Sequence, residues 1–111
     1  MPNFNDFIDQ LKSNLVDHAR QFGDDVKDEF VEDGKAFAEE AKEDLKRWTQ
    51  LMAEDKLTRD DFEFLVKGKK DIAKMEALKQ KGLAKARLDK FKNALLGTVV
   101  NSAFNVFGDH S

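Results

Sequence analysis

The sequence predicts an all-α protein: a long antiparallel two-helix hairpin that pairs with a second copy into a helical bundle. Three observations predict it. The 111-residue chain has one Pro, at position 2, and six Gly, so helix breakers are scarce. Apolar residues return every eleven positions from residue 3 to residue 57. A strong helix start stands at Thr58, close to the middle of the chain.

The first helix is expected over residues 3–56. Cut into blocks of eleven from Asn3, the chain repeats Phe4, Leu15, Val26, Phe37 and Trp48 in one column. Ile8, Ala19, Phe30, Ala41 and Met52 form another. Three turns of α-helix take close to eleven residues, so this period holds one apolar stripe on one face of a rod. Leu11, Phe22 and Leu45 complete the stripe; Asp, Glu and Lys dominate the opposite face. Asn3 is placed to cap the helix, with Asp6 three residues on. Gly23 and Gly34 are its weak points, but the repeat keeps its phase across both. A continuous helix is therefore favoured over a break at Phe22-Gly23-Asp24-Asp25.

The second helix is expected from about residue 59 to 107. Thr58 and Asp61 have the spacing of a capping box, Leu57 and Phe62 that of a hydrophobic staple. Asp60 and Asp61 suit the positive end of the helix dipole. Gly108 is a C-terminal cap candidate. A kink at Gly68 would give three helices, 3–56, 58–67 and 69–107.

Charge supports the hairpin. Residues 1–66 hold 9 basic and 18 acidic side chains, residues 67–92 hold 10 and 3, and residues 93–111 carry only Asp109. Folding about residue 57 lays the basic stretch along the acidic residues 22–47 and sets 93–107 against 7–21. Such pairs fix register more than stability. The neutral stretch NALLGTVVNSAFNVFG, residues 93–108, is apolar on most sides, with Asn93, Gly97, Asn101 and Asn105 as a polar seam. One neighbouring helix cannot dry it. A homo-oligomer, a dimer first, is the expected remedy, and a different protein partner is the other.

The residues assigned to the core or to self-association are Phe4, Ile8, Leu11, Leu15, Phe22, Val26, Phe30, Phe37, Leu45, Trp48, Met52, Phe62, Leu95, Val99, Ala103 and Val106. The expected function is a non-enzymatic structural or protein-interaction module. The alternative is a peripheral membrane protein. There Lys67, Lys70, Lys74, Lys81, Lys85 and Lys92 would meet anionic lipid, and residues 93–107 would insert. Nucleic acid is not an expected partner, because residues 67–92 lack interleaved aromatics and an acidic helix lies beside them.

No catalytic residue, cofactor or metal ligand is assigned. Cys is absent, which removes thiolate chemistry and disulfides. His18 and His110 are the only histidines. His18 does not complete a Glu-x-x-His motif, since position 15 is Leu; it reads as a flank of the stripe. Glu39, Glu40, Glu43 and Asp44 read as a solvated band facing Lys and Arg, having no calcium loop beside them. Lys67-Gly68-Lys69-Lys70 lacks the spacing of a phosphate loop. The N-terminus has no basic and apolar leader pattern, so a cytoplasmic location is expected, with membrane association under the alternative function.

The eleven-residue amphipathic blocks resemble those of apolipoproteins, synucleins and late-embryogenesis-abundant proteins. AFAEEAKEDLK, residues 36–46, is similar to a block of the last group. The resemblance covers residues 3–57 and implies a long amphipathic helix. The lipid-binding kind places Lys along the apolar border; here the helix is acidic, with large Phe residues suited to a packed core.

Overall fold

Asn3 opens the structure as its sequence requires. Its side chain accepts from the Asp6 backbone N–H, and Asp6 accepts from the Asn3 N–H, both at 3.0 Å. The computed structural model describes residues 3–108. Six α-helices follow one another: α1 (Phe4–Ala19), α2 (Asp24–Glu40), α3 (Lys42–Ala53), α4 (Arg59–Lys67), α5 (Glu76–Gln80) and α6 (Lys85–Ala103). A 3₁₀ turn at Lys70–Ala73 precedes α5, and a π turn at Phe104–Gly108 ends α6. The described residues contain no strand.

The all-helical class is as predicted; the helix lengths are not. A helix over 3–56 would be roughly 75 Å long, yet the molecule's longest dimension is 42 Å. The first rod is cut at Gly23. This residue has φ +100° and ψ 157°, a region that only Gly occupies readily. The chain reverses there, and α2 returns along α1. Gly34, the other doubtful position, lies inside α2, buried and helical. At Ala41 (φ −97°, ψ 12°) the helix is interrupted for one residue, and α3 continues from it. The backbone bonds Ala41→Phe37 and Leu45→Ala41 persist at 2.9 and 2.8 Å, so the interruption is a kink rather than a turn.

The second rod is divided too. Thr58 caps α4 as expected, accepting from Asp61 N–H at 3.1 Å while Asp61 accepts from Thr58 N–H at 3.3 Å. Gly68 then ends α4, in agreement with the three-helix alternative. The expected helix over 69–107 breaks further. Met75 takes a left-handed conformation (φ +40°) before α5, and Gly82 another (φ +72°) before α6.

Four legs result: α1; α2 with α3; α4, the 3₁₀ turn and α5; and α6 with the π turn. Side-chain contacts give their directions. Lys69 meets Asp44, Lys74 meets Glu40 and Lys81 meets Glu29, and Arg87 at the start of α6 meets Asp25. The third leg therefore runs antiparallel to the second, in the register that the charge pattern predicts. Asn14 bonds Ser102 and His18 bonds Thr98, so α6 runs antiparallel to α1, as expected for residues 93–107 against 7–21. Arg59 bonds Asn101 and stacks on Phe104, which places α4 beside the far end of α6. One chain thus forms the up-down-up-down ring of four that the sequence reading distributed over two hairpins.

The core closes within that ring. Leu11, Leu15, Val26, Phe30, Phe37, Leu45, Trp48, Met52, Phe62, Leu95, Val99 and Ala103 are buried. Phe4, Ile8, Phe22 and Val106 pack at its edge, partly buried. Phe22 meets Phe91 edge-on with centroids 4.9 Å apart and Phe30 at 5.3 Å; Trp48 meets Phe62 edge-on at 6.4 Å. The neutral segment is dried by the chain's own legs. Leu95, Val99, Val100, Ala103 and Phe107 are each at most 5% exposed. Ala94, Leu96 and Val106 of the same segment are partly buried. Among the described residues, no helix is long and apolar enough to cross a membrane.

Candidate functional site

One opening in the core wall lies between α1 and the α2–α3 leg. Residues 4, 8, 11 and 15 recur at helical spacing on one face of α1. The facing positions on the second leg are small: Gly34, Ala38 and Ala41. At Gly34 the two helices touch, since a Cβ there would stand 2.5 Å from Leu15 Cδ2. Beside Ala38 the short methyl fills less space than the α1 side chains leave. A groove of about 300 Å³ remains. Phe4, Ile8, Leu11, Leu15 and Ala38 line it, and Asn5, Lys12, Lys35, Glu39 and Lys42 stand along its edges. Lys46 covers one end, its Nζ 5.7 Å from the Phe4 ring centroid, within cation–π range.

A second, polar cleft of about 240 Å³ separates α1 from α6. Asn14, Asp17, His18, Thr98, Asn101 and Asn105 line it. The Thr98 hydroxyl donates to Ala94 O at 2.8 Å, so it is an acceptor toward His18 Nδ1 at 2.5 Å. Asn14 bridges Gln10 and Ser102, at 3.0 and 2.8 Å, and Ser102 donates to Thr98 O at 2.7 Å. His18 is thus a tie between two legs rather than a simple flank of the stripe. Thr98 and Ser102, its buried counterparts, went unread in the sequence: the visible signal was the asparagine seam one position away. His110 lies outside the described residues.

Asp33 is the third special position. It is 7% exposed and accepts from the backbone N–H groups of Ala77 and Leu78, both at 2.9 Å. Those are first-turn donors of α5, which no residue of its own caps. Burial pushes the Asp33 carboxyl above its ordinary value, and the bonds from Leu78 and Ala77 pull it part of the way back.

The predicted basic segment is divided by its surroundings. Lys74 is held between Glu40 and Asp71 at 2.6 and 3.0 Å, and Lys81 faces Glu29 at 4.0 Å. Hydrogen bonds to Glu40 and Asp71 raise the Lys74 ammonium well above its usual range. Lys67, Lys70 and Lys85 are exposed, and Lys92 is half-buried. Two members of the acidic band, Glu40 and Asp44, are committed in the same way. Asp44 binds Lys69 and Arg47, and the bond from Lys69 holds its carboxyl below the usual range. Among the described residues, no cluster of His, Asp or Glu is arranged to hold a metal ion.

One large hydrophobic side chain is exposed among the described residues: Phe64 on α4, at 77%. The candidate site thus rests on the groove's geometry alone, for no protein-family model, curated protein or solved structure matches the chain.

Proposed function

We propose that the protein is a non-enzymatic binding module that takes an apolar ligand in the groove between α1 and the α2–α3 leg. The observation that carries this reading is the open trough itself. At Phe4 and Ile8 the stripe stays partly uncovered beside the small Ala38. Pockets that hold small molecules are concave and mostly apolar, with a few polar groups that orient the ligand. The polar cleft supports a structural role instead, because its histidine and hydroxyls bind one another.

Titration with the uncharged dye N-phenyl-1-naphthylamine tests the reading. Saturable enhancement of its fluorescence is expected, and Ala38→Phe, which fills the groove from its floor, abolishes it while the circular-dichroism spectrum stays unchanged. Dye binding that survives Ala38→Phe, or no binding at all, overturns the assignment.

A second reading keeps self-association as a structural or protein-interaction module, and Phe64 favours it. An aromatic ring exposed on a helix is a suitable anchor for a partner surface. Light scattering decides it: a dimer mass that Phe64→Ser reduces to that of one chain supports it, and a monomer at micromolar concentration removes it.

A further inference from the structure

Charge is unevenly distributed around the groove. Acidic side chains outnumber basic ones two to one over residues 1–66, 18 against 9. Yet three of the nine basic residues, Lys12, Lys35 and Lys42, stand on the groove's edges, with Glu39 as the one carboxylate among the lining residues. Among the described residues, none of these three lysines forms an ion pair. The third leg behaves differently: Lys69, Lys74 and Lys81 each have a carboxylate on the second leg. The groove therefore joins an apolar floor to a cationic edge that the protein itself does not neutralise.

From this we infer that the groove binds a single-chain amphiphile with a carboxylate head, of the free fatty acid class. The inference rests on the groove reading and names its ligand. The tail lies on Phe4 and Ile8 beside Ala38, above the buried Leu11. The carboxylate meets the ammonium groups of Lys12, Lys35 and Lys42. A volume of about 300 Å³ is at the small end for ligand sites and suits one tail rather than two. Lysine, with its flexible stem and compact charge, follows a head group whose depth varies with tail length. Glu39 opposes the head group and limits affinity.

Displacement of N-phenyl-1-naphthylamine by laurate, dodecanol and dodecyltrimethylammonium, each below its micelle threshold, tests the inference. Laurate is expected to displace the dye at the lowest concentration and the cationic amphiphile at the highest. The triple variant Lys12→Glu/Lys35→Glu/Lys42→Glu weakens laurate by about tenfold relative to dodecanol and keeps the circular-dichroism spectrum. Glu39→Gln tightens laurate, and added salt shrinks the difference between laurate and dodecanol. Equal displacement by all three probes, or a triple variant that binds laurate as before, overturns the head-group assignment while dye binding keeps the groove. Failure of the dye itself to bind removes both. Displacement by anionic phospholipid vesicles but not by laurate also overturns the inference, and assigns the groove to a membrane surface.

Discussion

The side chain of Leu15 fills the space that Gly34 leaves: a Cβ at position 34 would lie 2.5 and 2.7 Å from the two Leu15 methyl carbons and 3.1 Å from Cγ. Leu15 is fully buried, so its methyl groups must shift out of packed positions before a Cβ fits. Gly34→Ala is therefore expected to lower stability by about 1–3 kcal/mol through overpacking, although alanine is the better helix former by roughly 1 kcal/mol. Urea unfolding of the two proteins measures the difference. An increase in stability would mean that α1 and α2 are not seated on each other at this point.

Gly23 and Gly97 should respond in opposite directions to the same substitution. Gly23→Ala forces a side chain into φ +100° and is expected to cost about 1–3 kcal/mol. Gly97 lies inside α6, and a Cβ there meets nothing within 4 Å. Gly97→Ala is expected to stabilise by up to about 1 kcal/mol. Thermal melts of both variants against the parent check the pair.

These glycines also show what the sequence reveals and what it withholds. Caps are local, so Asn3 with Asp6 and Thr58 with Asp61 are legible at a spacing of three. The acidic and basic blocks are legible because their opposition depends only on direction, and Lys69–Asp44 and Arg87–Asp25 obey it. The reversal at Gly23 is hidden. An eleven-residue repeat reports which side of a helix is buried, and two legs turned inward on one core keep that repeat as well as a straight rod does. Leu15 and Val26 are buried in the same core from opposite sides of the turn. Missing that reversal hides everything that depends on α1 facing α2, including Gly34 beneath Leu15 and the groove beside Ala38. It also leaves the stripe without a cover, which makes a second copy the expected remedy. Asp33 is hidden for another reason: its partners are 44 and 45 residues away, and α5 shows no cap of its own to indicate that one must come from elsewhere.

Asp33→Ala is expected to lower stability by about 1–3 kcal/mol, because it strands one buried and one partly buried backbone donor. Asp33→Asn keeps one acceptor oxygen and should fall between the parent and the alanine variant. Hydrogen exchange locates the effect: the amides of Ala77 and Leu78 should lose protection first, and most of α6 should keep its own. Uniform loss across the chain would contradict a local capping role.

Acid titration separates Asp33 from the exposed carboxylates by sign. Burial raises the Asp33 carboxyl above its ordinary 3.8. Between 3.8 and the raised value the folded state binds more protons than the unfolded state, so the contribution of Asp33 declines as pH rises through that window. Hydrogen bonds from Lys69 and Lys74 depress Asp44 and Asp71 respectively. Their contribution is full above 3.8 and is lost as pH falls through the depressed values. The stability gap between parent and Asp33→Asn should thus narrow with rising pH, and that between parent and Asp44→Asn should widen from acid pH up to about 3.8. Urea unfolding at a series of pH values reads both slopes, and equal signs would refute the assignment.

Phe62 and Phe64 stand two residues apart on α4 and should behave as different kinds of residue. Phe62 is fully buried, edge-on to Trp48, whereas Phe64 is 77% exposed. Phe62→Ala is expected to cost about 3–5 kcal/mol, and Phe64→Ser to stay within about 0.5 kcal/mol of the parent when both are measured as monomers. The melting temperature of Phe64→Ser then gives the second test its force. If self-association seats on this ring, the parent's melting temperature rises with protein concentration and that of Phe64→Ser does not, because only association makes stability depend on concentration. Parallel concentration dependence in the two proteins would place any association elsewhere on the surface.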